Sequence, residues 1–152
     1  MTATSDNTNR TSHLLELMKK GDDGFNAHDF EAMNAVHHPD MIAHITGNAQ
    51  PLYGRAAHAE AMKQFFRMFP DVHVDNHPYA VQFGTGDWIT VVTRTTGTFT
   101  GEMSLPDGTV IAPTGKAFDV DFGQTVKWDD DLVIEIAAFW DAALQSKQIG
   151  LS

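Results

Sequence analysis

Ala117-Phe118-Asp119-Val120-Asp121-Phe122-Gly123-Gln124-Thr125-Val126-Lys127-Trp128 alternates between apolar and polar or small residues along almost its whole length. Successive side chains of a strand point to opposite faces. Phe118, Val120, Phe122, Val126 and Trp128 therefore share one face, opposite Ala117, Asp119, Asp121, Gly123, Thr125 and Lys127. Asp129, Asp130 and Asp131 read as the turn of a hairpin into a last strand from Leu132 to Asp141. Upstream, Trp88 to Phe99 is rich in Thr and Val, and Val72 and Val74 alternate with Asp71, His73 and Asp75. Before Pro70 the period is helical. Leu14, Leu17, Met18, Gly21 and Phe25 form one stripe, with Thr11 or Ser12 available as N-cap, and Ala57, Ala61, Met62, Phe65 and Phe69 form another after Gly54. Asp29 is placed to cap a short helix, Phe30 to Val36, that Pro39 stops. Helices first and antiparallel strands afterwards predict an α+β domain, one curved sheet with helices on its concave side.

The 152 residues suffice for one core without disulfides. The polar start predicts a disordered tail over residues 1–11 and a single domain over 12–152. Ten Lys plus Arg against twenty Asp plus Glu give a formal net charge of -10, which speaks against nucleic acid and anionic membranes as partners. No apolar run approaches a membrane span and the start lacks the pattern of a signal peptide, so a cytoplasmic protein is expected. With no cysteine, thiol nucleophiles and Cys-type zinc sites are absent.

Eight histidines are the natural place to look for chemistry. Asp71, His73, Asp75 and His77 alternate on one strand face, but Val72 and Val74 must go to a core, which turns this row to solvent, and no metal site is expected. His37 and His38 precede Pro39 at an expected helix end, where a cation favours the dipole. Gln124 is the one polar residue on the apolar face of its strand; a buried amide needs a partner, from the backbone or from a cavity. His44 shares a face with Ile42, which suggests an imidazole pointing inward, either as a satisfied core group or toward a pocket.

Phe69-Pro70-Asp71, Gly97-Thr98-Phe99-Thr100-Gly101-Glu102, Ala112-Pro113-Thr114-Gly115-Lys116 and Trp140-Asp141 with Gln148-Ile149-Gly150 follow one another in an order that resembles the SnoaL-like branch of the nuclear-transport-factor-two-like superfamily. The resemblance implies an α+β cone, a mostly antiparallel bent sheet around three helices, with an apolar pocket at the wide end and homodimers or higher oligomers formed through the sheet. Its polyketide cyclases close rings by intramolecular aldol condensation without metal or cofactor, using an aspartate on the last strand and a histidine on the preceding one. In this chain those positions are Ala138 and Gln124. An alanine moves no proton, so that mechanism does not carry over.

The pocket is expected to be lined by Phe99, Phe118, Val120, Phe122, Gln124, Ile134, Ile136, Ala138 and Trp140, and to take a small apolar molecule. The candidates for chemistry are His44 as general base, Gln124 orienting a carbonyl, and Asp141, which matches a common family aspartate. Alternation puts Asp141 with Glu135 on the face opposite Ala138, where binding local backbone N–H groups is the simpler role. Two functions stay open: a cofactor-independent cyclase or isomerase acting on an apolar carbonyl compound, and a ligand-binding or interaction module that kept the pocket and lost the acid and base.

Overall fold

The computed structural model describes residues 3–151, with side chains from Asp6 onward. In chain order it has α1 (Ala3–Ala27), α2 (Phe30–Ala35), β1 (His37–Ile45), β2 (Leu52–Tyr53), α3 (Arg55–Met68), β3 (His73–Val74), β4 (Val81–Thr85), β5 (Trp88–Thr98), β6 (Met103–Ser104), β7 (Val110–Ile111), β8 (Ala117–Asp129), β9 (Leu132–Phe139) and α4 (Ala142–Gln148). A seven-stranded curved sheet runs β2-β1-β9-β8-β5-β3, with β4 also paired to β5, and β6 and β7 form a separate ribbon. Every pair is antiparallel except β1 with β9.

The long strand forms as its alternation dictates. Phe118, Val120, Phe122, Val126 and Trp128 are all buried, while Asp119 and Asp121 are exposed. Asp130 takes the left-handed conformation at the hairpin tip, one that aspartate tolerates better than most residues. One detail of the hairpin escapes the period-2 reading. Lys127 pairs with Glu135 but Trp128 pairs with Val133, so Ile134 is an extra residue in β9. The bulge brings Val133 to the inner face beside Ile136 and takes Ile134 off it.

Three further expectations change. First, α1 runs back to Ala3 through the segment expected to be a disordered tail, and through Thr11 and Ser12, which cap nothing there. Its first turns are held to the β4–β5 turn: Arg10 pairs with Asp87 at 2.9 Å and Asn7 bonds Thr85 and the Gly86 N–H. Met1 and Thr2 lie outside the described residues. Second, α2 ends at Ala35, with Asp29 capping Ala32 N–H at its start as expected, and His37, His38 and Pro39 belong to β1, not to a helix end. Pro39 lies where the β1–β9 ladder is interrupted, between the pairs His37–Val133 and Ile42–Glu135; a residue without an N–H is tolerated there. Third, β9 stops at Phe139, and Asp141 is the N-cap of α4.

The glycines of α1 answer to packing. A Cβ on Gly24 would stand 3.0 Å from Ala32 Cβ and Met33 N, so this face of α1 lies directly against α2. Two clusters of buried side chains fill the space between helices and sheet: one joins Leu14, Met18, Met41, Ile89, Val126 and Trp128, the other Phe66, Phe69, Phe99, Phe118, Val120 and Phe122. Burying side chains of this size contributes about 1.5–3 kcal/mol each before the entropy of ordering is subtracted.

Candidate functional site

A cavity of about 620 Å³ opens between the inner face of β8 and β9 on one side and α1, α2 and α3 on the other. The sheet contributes Phe122, Gln124, Val126, Trp128, Val133, Ile136 and Ala138, and Trp140 follows directly after β9. The helices contribute Met18, Asp22, Phe25, Met33, His58, Met62 and Phe65, with Asn48, Glu60 and Gln64 exposed at the rim. Phe122 and Trp140 stack at 4.5 Å between ring centroids, and the indole N–H donates to Gln145 Oε1, which leaves the flat faces as apolar wall.

Of the expected lining, Phe122, Gln124, Ile136, Ala138 and Trp140 face this cavity. Phe99, Phe118 and Val120 do not: at 0%, 1% and 5% exposure they are packed core around Phe69, deeper in the cone. Ile134 is absent from the wall because of the bulge, and Val133 stands in its place. Gln124 and Ala138 are cross-strand partners, so the two positions that the resemblance singled out do meet in the cavity.

His44 does not reach it. Met41 and Ala43 are the inward residues of β1, and His44 points to the outer face of the sheet, where its Nε2 lies 3.0 Å from Glu135 Oε1 with both side chains over two-fifths exposed. Asp141 is also outside: its carboxylate accepts from Leu144 N–H at 2.8 Å, the cap of α4. Asp71, His73, Asp75 and His77 are placed toward solvent, Asp71 accepting from Thr98 N–H and Oγ1–H, and among the described residues no three metal-ligating side chains come together.

The acid that does enter the cavity is Asp22 of α1. Tyr79, 4% exposed, donates its O–H to Asp22 Oδ2 at 2.6 Å, and the Gln124 amide bonds the same carboxyl. Burial pushes Asp22 up to about 6, against the opposing pull of these two hydrogen bonds. The Tyr79 hydroxyl, buried beside that carboxyl, is raised far above its usual range and stays a proton donor to it. Asp23, the next residue, turns outward to Asn76 and His77 and is lowered instead, chiefly by the Asn76 bond. Neighbouring aspartates of one helix thus take opposite proton affinities from opposite faces.

A second polar group lines the cavity where β1 meets α3. His37, at the start of β1, and His58, in the first turn of α3, stand edge to face at 5.0 Å between ring centroids, 9% and 7% exposed. Burial lowers them to about 3 and about 4, His37 additionally through His58 and Arg55, so both are neutral imidazoles near pH 7.

The chain matches the model of the SnoaL-like polyketide cyclases over residues 16–149. It belongs to the SnoaL-like polyketide cyclase family. No curated protein matches it. Among solved structures, this SnoaL-like chain is similar to a candidate SnoaL-like polyketide cyclase from Jannaschia sp. CCS1, with a TM-score of 0.80 and 19% identity over 93% of this chain and 94% of that one. It is similar to IdmH, a candidate polyketide cyclase from Streptomyces antibioticus, with 0.73 and 20% over 89% and 96%. AclR of Streptomyces galilaeus, described as a candidate hydroxylase, gives 0.76 and 17% over 93% and 87%. At these identities the likeness is one of fold, and the fold hosts more than one described activity.

Proposed function

We propose that this SnoaL-like protein is an acid–base enzyme of the cyclase or isomerase type, acting on a small apolar carbonyl compound with Asp22 as the group that moves the proton. The observation that carries the reading is a carboxyl held inside an apolar cavity, between Tyr79 and Gln124, with a proton affinity moved into the working range. The carboxyl comes from the helix wall instead of the last strand, and bonds the residue that pairs with Ala138. In the proposed step the ionised Asp22 takes a proton from the carbon next to the carbonyl. The C–H electrons form the enolate, whose oxygen accepts the remaining N–H of the Gln124 amide. Asp22 then returns the proton at another carbon, which isomerises the compound, or the enolate carbon attacks a second carbonyl and closes a ring, with Asp22 protonating the new alkoxide.

Proton abstraction is common to both outcomes and is tested without the natural substrate. In heavy water the protein is expected to accelerate exchange of the α-hydrogens of β-tetralone, followed by proton NMR, and Asp22→Asn is expected to lose at least about tenfold of that acceleration. Equal rates in the two proteins would remove Asp22 from the chemistry and favour the alternative of a ligand-binding module. We also read the outer sheet face as the surface on which two copies meet, because Tyr53, Phe83, Trp88 and Phe139 are large apolar side chains 40–68% exposed there.

A further inference from the structure

His37 poses a hydrogen-bonding problem that the protein leaves unsolved, and His58 stands beside it. Both are more than nine-tenths buried, both line the cavity, and His37 Nδ1 has no partner. The His58 ring, edge to face with it, lines the same wall. A buried polar atom without a partner costs about 1–3 kcal/mol, so the His37 nitrogen, with the His58 ring beside it on the cavity wall, marks a place where something else supplies the bond.

The surroundings narrow what that is. A metal ion lacks a third ligand, since no cluster of three forms among the described residues, and it would meet the Arg55 guanidinium, which bonds the main-chain oxygens of Asn34 and His37. An anion would have to be desolvated against Met33, Val36, Leu52 and Met62 in a cavity that also holds Asp22, with Glu60 at the rim of a chain carrying -10. A neutral imidazole offers one N–H donor and one acceptor nitrogen. A carbonyl uses only donors, whereas a hydroxyl accepts from one ring and donates to the other.

We infer that His37 and His58 form a hydroxyl-binding subsite, so that the molecule taken into the cavity is a neutral apolar compound bearing a hydroxyl group apart from the carbonyl addressed by Asp22 and Gln124. The carbonyl part of this description rests on the proposed function; the hydroxyl part rests on the histidine pair alone.

The test uses three probes of one size on the full chain at neutral pH: β-naphthol, β-methylnaphthalene and β-naphthoate, titrated by NMR. β-Naphthol is expected to bind about tenfold or more tighter than β-methylnaphthalene, the fold-change of one good hydrogen bond. It should shift the imidazole nitrogen signals of His37 and His58, which β-methylnaphthalene leaves in place. The margin should shrink to under about threefold in His58→Phe, return in His58→Gln and persist in Asp22→Asn. The wild-type nitrogen shifts carry the test even if His58→Phe fails to fold. Equal binding of naphthol and methylnaphthalene, naphthoate binding tightest, or no binding of any probe would overturn the inference. So would a margin lost in Asp22→Asn, which would seat the hydroxyl at Asp22 and leave the proposed function intact. A preserved naphthol margin together with unchanged tetralone exchange in Asp22→Asn would do the reverse.

Discussion

Asp22 lies four residues after Met18 and three before Phe25, on the same stripe of α1 that buries Leu14 and Met18. That spacing is the signal by which the sequence alone could reveal it: a carboxylate at a core position of an amphipathic helix. His58 carries the same signature, four residues before Met62 on the stripe of α3. Gln124 was legible because it interrupts a strict alternation, and it is the one chemical candidate that both readings share. His44 misled because sharing a face with Ile42 says nothing of which face is inner; Met41 and Ala43 take that side. The roles of Asp22 and Tyr79 are separable. Tyr79 stabilises the carboxylate by donation, so Tyr79→Phe should raise the Asp22 midpoint above about 6 and move the rising limb of β-tetralone exchange to higher pH. Tyr79 is then a positioning residue; a limb that stays in place while only the melting temperature falls would reduce it to packing.

At the scale of elements, the change from α3 to the strands that follow it was readable because the period changes from 3.6 to 2 at Pro70, and periodicity reports which side of an element is buried; β1 and β2, which lie between α2 and α3, break the expected order of helices first and strands afterwards. The same signal is blind to the β9 bulge and to β1, whose inward pattern is broken between His37 and Met41. The packing of α3 against β1 has a measurable consequence. His37 and His58 drop from 6.5 to about 3 and about 4, so the unfolded chain binds more protons than the folded one below the ordinary histidine value. Their contribution is complete above pH 6.5 and is lost as pH falls below it, each withdrawing on the order of 2 kcal/mol by pH 5. Asp22 acts in the opposite sense: raised from 3.8 to about 6, it binds a proton more readily when folded and returns roughly 1 kcal/mol over the same interval. Urea unfolding should show wild-type stability falling between pH 7 and pH 5, and falling clearly less in His58→Gln. Parallel losses in the two proteins would mean that His58 is not held neutral.

For the molecule as a whole, the cone separates two surfaces made from the same strands. The inner face of the sheet closes the cavity, and the outer face presents Tyr53, Phe83, Trp88 and Phe139 around the exposed His44–Glu135 pair. Phe139 covers Gly123, whose missing side chain gives the ring its seat. If copies of the chain meet on this face, Phe139→Lys should halve the mass seen in light scattering after gel filtration while leaving the tetralone exchange in place; an unchanged mass would place the contact elsewhere. Fold class and family were legible across nearly the whole chain, because short motifs in sequence order mark the turns and strand ends of the cone. The location of the acid was not, because it depends on which helix residue the closed cone brings beside Gln124, a contact between α1 and β8 across about a hundred residues of chain. A carbon-13 NMR titration of the Asp22 side-chain carboxyl in the full chain measures it directly. A midpoint near 6 that shifts when β-tetralone is added is the expected result; a midpoint at the ordinary 3.8, unmoved by the ketone, would contradict the role given to Asp22.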